Sequence, residues 1–122
     1  MAKPELPELL LPDRAAWRSW LETNHETSPG VRLVLNKKGA SVTGVTYDAA
    51  VEEALCFGWI DGQASRRDEG SWRVRMTRRG PRSNWARSNV ARVARLEAEG
   101  LMRPAGVAAV EAARREGRWP EP

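Results

Sequence analysis

The spacing of hydrophobic and polar positions along the chain predicts four helices. In the first of them Trp17, Trp20 and Leu21 share one face, and Asp13 ahead of them is a favoured N-cap residue. Near the end of the chain, Gly100 closes one helix and Pro104 takes the first position of the next. The predicted helices follow Asp13 to about Asn24, span Tyr47 to about Phe57 behind Thr46, run from about Asn84 or Ser88 to Glu99, and extend from Pro104 to about Glu116.

Alternation with a period of two predicts strands between these helices. In the clearest case Trp72, Val74 and Met76 share one face, while Arg73 and Arg75 share the other. A shift of the strand register by one residue would bury Arg73 and Arg75. We therefore expect Trp72, Val74 and Met76 to point inward in an antiparallel hairpin. The predicted extended segments are Val31–Asn36 with a turn at Lys37–Gly39, Val42–Val45, and the hairpin strands Trp59–Ala64 and Trp72–Thr77.

The segment Ala54–Gly62, ALCFGWIDG, links the second helix to this hairpin and is dense in apolar residues for so polar a chain. We therefore place it at the centre of the core, with Cys56 buried and unreactive. The first twelve residues hold three prolines and predict an irregular lead-in, and no repeat or linker divides the rest. The sequence predicts one α+β domain, 1–122: a small, mostly antiparallel sheet with helices on one side, ending in a helical hairpin.

Charge is unevenly distributed, and this favours an anionic partner. Residues 1–60 carry a formal charge of −2 and residues 61–122 carry +6, for a total of +4. A GC-rich genome would also enrich arginine and alanine, so the bias supports this partner only weakly. One cysteine excludes an internal disulfide framework, and the chain has neither an apolar run long enough to span a membrane nor a signal-peptide core. We therefore expect a cytoplasmic protein.

Several kinds of site are excluded by residue type and spacing. His25 and Cys56 are the only residues of their types and fall on separate elements, so no zinc site of His and Cys is expected. No glycine-rich phosphate loop is present, and we predict no cofactor. The last two helices resemble a helix-turn-helix, but the second begins Pro104-Ala105-Gly106 and lacks polar side chains to read bases.

The arginines Arg73, Arg75, Arg79 and Arg82 are the strongest functional lead, because guanidinium groups near a helix N-terminus suit phosphate or carboxylate. A solvated basic face with one structural arginine–Asp61 pair explains them equally well. Trp59 and Trp85 are either flat walls for a ligand or hydrophobic plugs. The predicted anion site comprises Trp59, Asp61, Arg73, Arg75, Arg82, Ser83 and Trp85. The hairpin register decides whether Asp61 meets Arg73 and Arg75.

Two motifs carry a family resemblance: Glu53–Gly62 (EALCFGWIDG) and Pro81–Asn89 (PRSNWARSN), followed by Gly117-Arg118-Trp119. Over residues 31–119 the chain resembles the YdeI/OmpD-associated family, whose members are often labelled bacteriocin-protection proteins. The resemblance implies a cytoplasmic bacterial protein linked by name to bacteriocin or stress resistance, without an established reaction. Members commonly continue into a further helical segment, which is absent here. Ala86 stands where they usually have Ser, which leaves Ser83, Asn84 or Ser88 to cap the following helix.

Three functions compete at this point. The favoured one is a small protein that binds an anionic molecule or protein partner in a cleft of arginine and tryptophan. The second is an enzyme that uses Asp61 on an acidic substrate, which neighbouring guanidinium groups disfavour because they make a carboxylate a weaker base. The third is a sequence-independent nucleic-acid binder, which a net charge of +4 does not favour. The sequence leaves the oligomeric state open.

Overall fold

The computed structural model of the chain describes residues 5–37, 44–81 and 83–120 and confirms the α+β class. The described residues form four helices and four strands, and the chain ends in the predicted helical hairpin. The elements are β1 (Glu8–Leu9), α1 (Arg14–Asn24), β2 (Val31–Asn36), α2 (Tyr47–Cys56), β3 (Trp59–Arg66), β4 (Ser71–Arg78), α3 (Arg87–Ala98) and α4 (Pro104–Arg115).

The strands form one sheet in the order β1-β2-β4-β3. Strand β4 pairs antiparallel with both β2 and β3, so the predicted hairpin is confirmed, and β1 pairs parallel with β2. The prediction of an irregular lead-in missed β1. Two residues are too few to show alternation, and this strand forms because Leu9 lies beside Leu33 and the Arg32 amide donates to the Pro7 carbonyl at 2.8 Å.

The predicted turn and the extended segment after β2 fall largely outside the described residues. This applies to residues 38–43, which include two residues of the predicted Lys37–Gly39 turn. Of the segment Val42–Val45, the structure describes the last two residues, and Val45 forms an isolated parallel bridge with Leu35.

The two faces of the sheet differ in polarity. One face carries Leu33, Leu35, Val74 and Met76, which are at most 1% exposed and pack beneath the helices. The predicted inward parity of β4 is therefore confirmed, although Trp72 is only half-buried. Arg32 of β2 and Arg73 and Arg75 of β4 lie on the opposite face because side chains alternate along a strand.

Helix α2 is the centre of the fold, since it contacts α1, α3, α4 and two strands and is buried from Ala49 to Cys56. The predicted caps of the first two helices are confirmed: the Asp13 carboxylate accepts the Ala16 amide, and the Thr46 hydroxyl accepts the Ala49 amide. Helix α3 differs from expectation, because Ala86 is its N-cap and no side chain makes a capping hydrogen bond. The side chains of Ser83, Asn84 and Ser88 therefore do not cap this helix.

Two glycines allow α4 to cross the end of α2 at close range. Gly58 ends α2 with a φ of +75°, and a Cβ there would lie 2.9 Å from the Ala105 carbonyl oxygen. A Cβ on Gly106 would lie 2.3 Å from the carbonyl oxygen of Cys56, which also accepts the Arg103 amide at 2.9 Å. The start of α4 is thereby fixed beside the start of the hairpin. Cys56 itself is fully buried, as predicted, and burial raises the pKa of its thiol.

Candidate functional site

The register of the hairpin separates the residues predicted to form one anion site. Asp61 lies opposite Met76 and therefore on the helix-covered face, whereas Arg73 lies opposite Ser65 on β3 and Val34 on β2. Arg75 shares the face of Arg73 because it is two residues away on the same strand. The sheet thus keeps Asp61 apart from both arginines, and the six described members of the predicted set do not line a common pocket.

Asp61 has a tyrosine as its partner, and not the arginine that the sequence led us to expect. The hydroxyl of Tyr47 donates to Oδ2 of Asp61 at 2.8 Å, and the Tyr47 ring stacks on Trp72 with ring centroids 5.9 Å apart. Partial burial raises the pKa of Tyr47, and the hydrogen bond to Asp61 raises it further because it stabilises the protonated phenol. This pair lies at the edge of the molecule and satisfies the carboxylate without a cation.

The two strand arginines, Arg73 and Arg75, lie on the sheet face that none of the four described helices covers. Arg73 donates from Nη1 to a carboxylate oxygen of Glu8 at 3.2 Å and from Nη2 to the Arg66 carbonyl at 2.6 Å. Arg75 is exposed, lies opposite Arg32 in the register, and has no hydrogen-bond or ion-pair partner among the described residues. Arg82, the third predicted arginine, lies outside the described residues.

The two tryptophans of the predicted site have different surroundings. Trp59 is fully buried, donates from Nε1 to the His25 carbonyl at 3.2 Å, and packs edge-on against Trp17 and Trp20. It is therefore a core residue that no ligand reaches in this conformation. Trp85 is 6% exposed and lines a pocket that also includes Ser83.

This pocket has a volume of about 510 Å³, within the usual range for small-molecule sites. Four parts of the chain enclose it: the end of α1, the turn at Gly58, the segment after β4, and one face of α4 with the residues that follow it. Its position follows from the glycine contacts that hold α4 beside the hairpin. The lining residues used below are Arg78, Arg79, Ser83, Trp85, His25, Glu26, Phe57, Ala105, Ala108, Ala109, Ala112, Glu116 and Arg118.

Arg79 is the principal charged group of the pocket. Its Cζ lies 3.7 Å from the centre of the Trp85 ring, and its Nη1 donates to the Ser83 hydroxyl at 3.2 Å and to the Asn84 carbonyl at 3.1 Å. The buried Nε has no hydrogen-bond partner, and Nη2 has none among the described residues. These contacts hold the guanidinium plane against the indole and leave one edge, formed by Nε and Nη2, unpaired.

The electrostatics of Arg79 follow from its burial. Loss of water lowers the pKa of this guanidinium to about 10, an effect that the positive charge of Arg118 increases and the carboxylate of Asp61 opposes. The side chain therefore remains protonated at neutral pH. No carboxylate lies within 4 Å of its nitrogens in the part of the chain that the structure describes, so this is a partly buried cation without a direct counter-charge.

The other two arginines of the pocket are already engaged. Arg118 donates from Nη1 to the Ser83 carbonyl at 2.9 Å and from Nη2 to both oxygens of Glu116 at 2.9 and 3.1 Å. Arg78 donates from Nη1 to the carbonyls of His25 and Ser28 at 3.0 and 2.7 Å. With Glu26 and Glu116, the described residues that line the pocket include three guanidinium groups and two carboxylates, which leaves one net positive charge among them.

His25 has a fixed orientation at the pocket wall. Its Nδ1 lies 2.8 Å from the Leu21 carbonyl, and its ring packs against Phe57 at 5.1 Å between centroids. Because a carbonyl oxygen only accepts, Nδ1 carries the hydrogen and Nε2 keeps its lone pair when the ring is neutral. Nε2 lies 3.6 Å from a carboxylate oxygen of Glu26.

Sequence reasoning found two residues of this pocket, Ser83 and Trp85, and included Arg79 among its leads without selecting it for the site. It missed Arg118, which has a visible signal in its position between Gly117 and Trp119 at the end of the last helix. It also missed His25, because a single histidine with no second ligand near it gives no sequence signal.

Metal binding and membrane insertion receive no support from the described residues. Within residues 5–37, 44–81 and 83–120, no three His, Cys, Asp or Glu side chains come together in a way that could hold a metal ion. Over the same residues, each helix is too short or too polar to cross a bilayer.

The chain belongs to the family described as "Domain of unknown function (DUF8412)", whose family model matches residues 9–109. The matched region begins in β1 and ends within α4. It therefore contains Arg79, Ser83 and Trp85 and ends before Arg118. No curated protein and no solved structure matches the chain.

Proposed function

We propose that this protein binds a small anionic ligand in the pocket between the end of β4 and helix α4. The observation that carries the proposal is the unpaired Nε–Nη2 edge of Arg79. The two N–H groups of this edge are parallel, the arrangement that holds a carboxylate or phosphate by two hydrogen bonds. Because Nε has no solvent contact in this conformation, the side chain must shift slightly for both groups to reach a ligand. An anion at this position would supply the partner that the described residues do not.

The free energy of burial supports the same conclusion. Removing a guanidinium group from water without a counter-charge is costly, so natural proteins pair buried charges or use them. The Trp85 ring and two oxygen acceptors offset part of this cost, but all three leave the Nε–Nη2 edge unpaired. A bound anion would offset the rest. Perturbed titratable groups at the wall of a cavity are typical of functional sites.

The alternatives from the sequence remain predictions with less support. An enzyme using Asp61 would need a reaction site around that carboxylate, which is hydrogen-bonded to Tyr47 and does not line the pocket. A nucleic-acid binder would use the open sheet face, where Arg73 is paired with Glu8 and Arg75 is free of described partners. Steep weakening of binding with salt would identify such a surface.

The cellular context is also proposed. A cytoplasmic location is in keeping with one cysteine and the absence of a disulfide framework. The resemblance to the YdeI/OmpD-associated family, and with it a role in bacteriocin or stress resistance, stays a prediction.

Thermal unfolding in the presence of single anions tests the proposal. Inorganic phosphate, acetate, succinate and hexanoate are each added at increasing concentration, and we expect at least one to raise the melting temperature because it binds the folded state. Arg79→Gln should abolish this rise. The matched control is Arg75→Gln, which removes an exposed arginine from the opposite sheet face and should leave the rise unchanged.

Two results would refute the proposal. One is the absence of any anion-dependent rise in the native protein. The other is an equal loss of the rise in Arg75→Gln and Arg79→Gln, which would indicate a general charge effect and not a site.

A further inference from the structure

We infer that the ligand of this pocket is a small monocarboxylate with an apolar body. Its carboxylate binds the Nε–Nη2 edge of Arg79, and its body lies against the alanine face of α4. The inference rests on the proposed function and adds the class of ligand to it. Charge, wall chemistry and hydrogen-bond geometry support it separately.

The charge of the lining favours a single negative charge on the ligand. The described residues that line the pocket carry one net positive charge, because Glu26 and Glu116 face it together with Arg78, Arg79 and Arg118. Arg118 is neutralised by Glu116 through two hydrogen bonds, whereas Arg78 and Arg79 have no carboxylate partner among the described residues. Arg79 is the one of the two that packs against the Trp85 ring at the pocket wall. A phosphate dianion would carry more charge than this cation compensates and would be repelled by both carboxylates.

The wall opposite the charges favours an apolar body. Helix α4 presents alanines to the pocket at spacings of three and four residues, which place them on one face. These small side chains leave room between the helix and the Phe57 and Trp85 rings, which also line the pocket. Burial of methylene or aromatic carbon on such a surface is favourable in proportion to its area. The alanines are Ala105, Ala108, Ala109 and Ala112.

The shape of the unpaired edge suits a carboxylate. Its two N–H groups lie in the guanidinium plane, which the contacts with Trp85, Ser83 and Asn84 fix. A planar carboxylate accepts both in the same plane.

Calorimetric titration of the full chain with four probes tests the class of ligand. The probes are acetate, hexanoate, hexan-1-ol and inorganic phosphate. We expect hexanoate to bind at least tenfold more tightly than acetate, because four additional methylene groups leave water. Hexan-1-ol should bind at least tenfold more weakly than hexanoate because it lacks the charge, and phosphate should also bind more weakly.

Two pocket variants test which residues contact the carboxylate of hexanoate and which contact its alkyl chain. Arg79→Lys keeps the charge but loses the paired donors, so it should weaken acetate and hexanoate alike by about tenfold. Ala108→Gln places a polar side chain on the apolar wall at an exposed helix position that tolerates it, and should weaken hexanoate about tenfold with acetate unchanged. The matched control is Ala94→Gln, an exposed alanine on α3 outside the pocket, which should change neither affinity.

The outcomes separate this inference from the function on which it rests. If phosphate binds more tightly than hexanoate and Arg79→Gln abolishes that binding, the pocket takes anions but the monocarboxylate inference is wrong. If acetate and hexanoate bind equally, or Ala94→Gln weakens hexanoate as much as Ala108→Gln does, the apolar wall has no part in binding. If none of the anions binds in an Arg79-dependent manner, both proposals fail.

Discussion

Two groups of arginines in this molecule differ in their counter-charges. In the first, Arg14, Arg18 and Arg95 surround Glu52 and Glu53 between the first three helices, a group we call the carboxylate cluster. Arg14 Nη2 lies 2.5 Å from Glu52, and Arg18 Nη1 lies 2.7 Å from Glu53. In the pocket, Arg79 has no such partner among the described residues.

This difference separates the arginines that have a structural partner from the one that we propose binds a ligand. In the carboxylate cluster each cation reaches an anion, and Arg18 also donates to the Leu101 carbonyl at 2.8 Å, which ties the α3–α4 turn to α1. Such a group fixes how helices meet, and it needs no ligand to be satisfied. Arg79 is held by oxygen acceptors and an aromatic ring, and these leave its charge unneutralised. An uncompensated cation in a cavity is therefore the better indicator of a binding site.

The largest expected effect comes from breaking the carboxylate cluster. Glu53→Ala should lower the free energy of unfolding by about 3 kcal/mol, because it leaves the Arg18 guanidinium partly buried without its anion. Arg79→Gln should lower it by less than about 1 kcal/mol, since what is lost is one cation–π contact and two hydrogen bonds to a charge that was already poorly compensated. Urea unfolding followed by tryptophan fluorescence measures both. Equal losses for the two variants would contradict the contrast.

A glycine substitution should affect the pocket and spare the carboxylate cluster. Gly106→Ala places a Cβ against the Cys56 carbonyl oxygen, where backbone must move, so we expect a loss of about 2 kcal/mol in the free energy of unfolding. Because α4 is displaced, hexanoate affinity should fall as well. Gly62→Ala is the matched control, since its Cβ would make an ordinary 3.6 Å contact with Arg75. Unchanged hexanoate binding in Gly106→Ala would show that α4 does not form the pocket wall.

The smallest expected effect is that the stability contribution and ligand affinity of Arg79 change at alkaline pH. The carboxylate cluster should show no such change. Burial lowers the pKa of Arg79 to about 10, below the ordinary value of an arginine in the unfolded chain. As the pH rises through 10, the folded protein loses this proton before the unfolded chain does, so the contribution of this group to stability increases with pH. Hexanoate binding should change in the opposite direction and weaken about tenfold between pH 9 and pH 11.

Calorimetric titration at fixed ionic strength measures this pH dependence. The charged groups that act on Arg79 are Asp61 and Arg118, so Asp61→Asn should move the midpoint to lower pH by removing a stabilising carboxylate. Residual binding in Arg79→Gln should not vary over the same range. Equal weakening in that variant would mean that another group is responsible.

The sequence alone determined the local structure of this protein, for identifiable reasons. Caps at Asp13 and Thr46, and the alternation from Trp72 to Thr77, depend on neighbouring residues only, and the structure confirms each of them. Burial of Cys56 followed from an apolar run at the end of a helix. The α+β class followed from the order of these elements.

The tertiary structure decided which side chains meet. Asp61 shares its strand face with Trp59, and because Trp59 fills the core beside Trp17 and Trp20, Asp61 must lie on that face and away from Arg73. This consequence could have been predicted had Trp59 been identified as a core residue. The Asp61–Tyr47 pair brings together positions 14 residues apart, and no local pattern marks it.

The pocket depended still more on tertiary structure. It joins His25, Arg79, Ala108 and Arg118, which are far apart in the chain and come together because α4 crosses α2 at Gly106. The sequence shows where an arginine stands in the chain. Whether a carboxylate compensates its charge depends on which acidic side chains the fold brings within 4 Å. For Glu52 and Glu53 the fold supplies arginines, whereas for Arg79 the described residues supply no carboxylate, because long-range packing and not local spacing sets those distances.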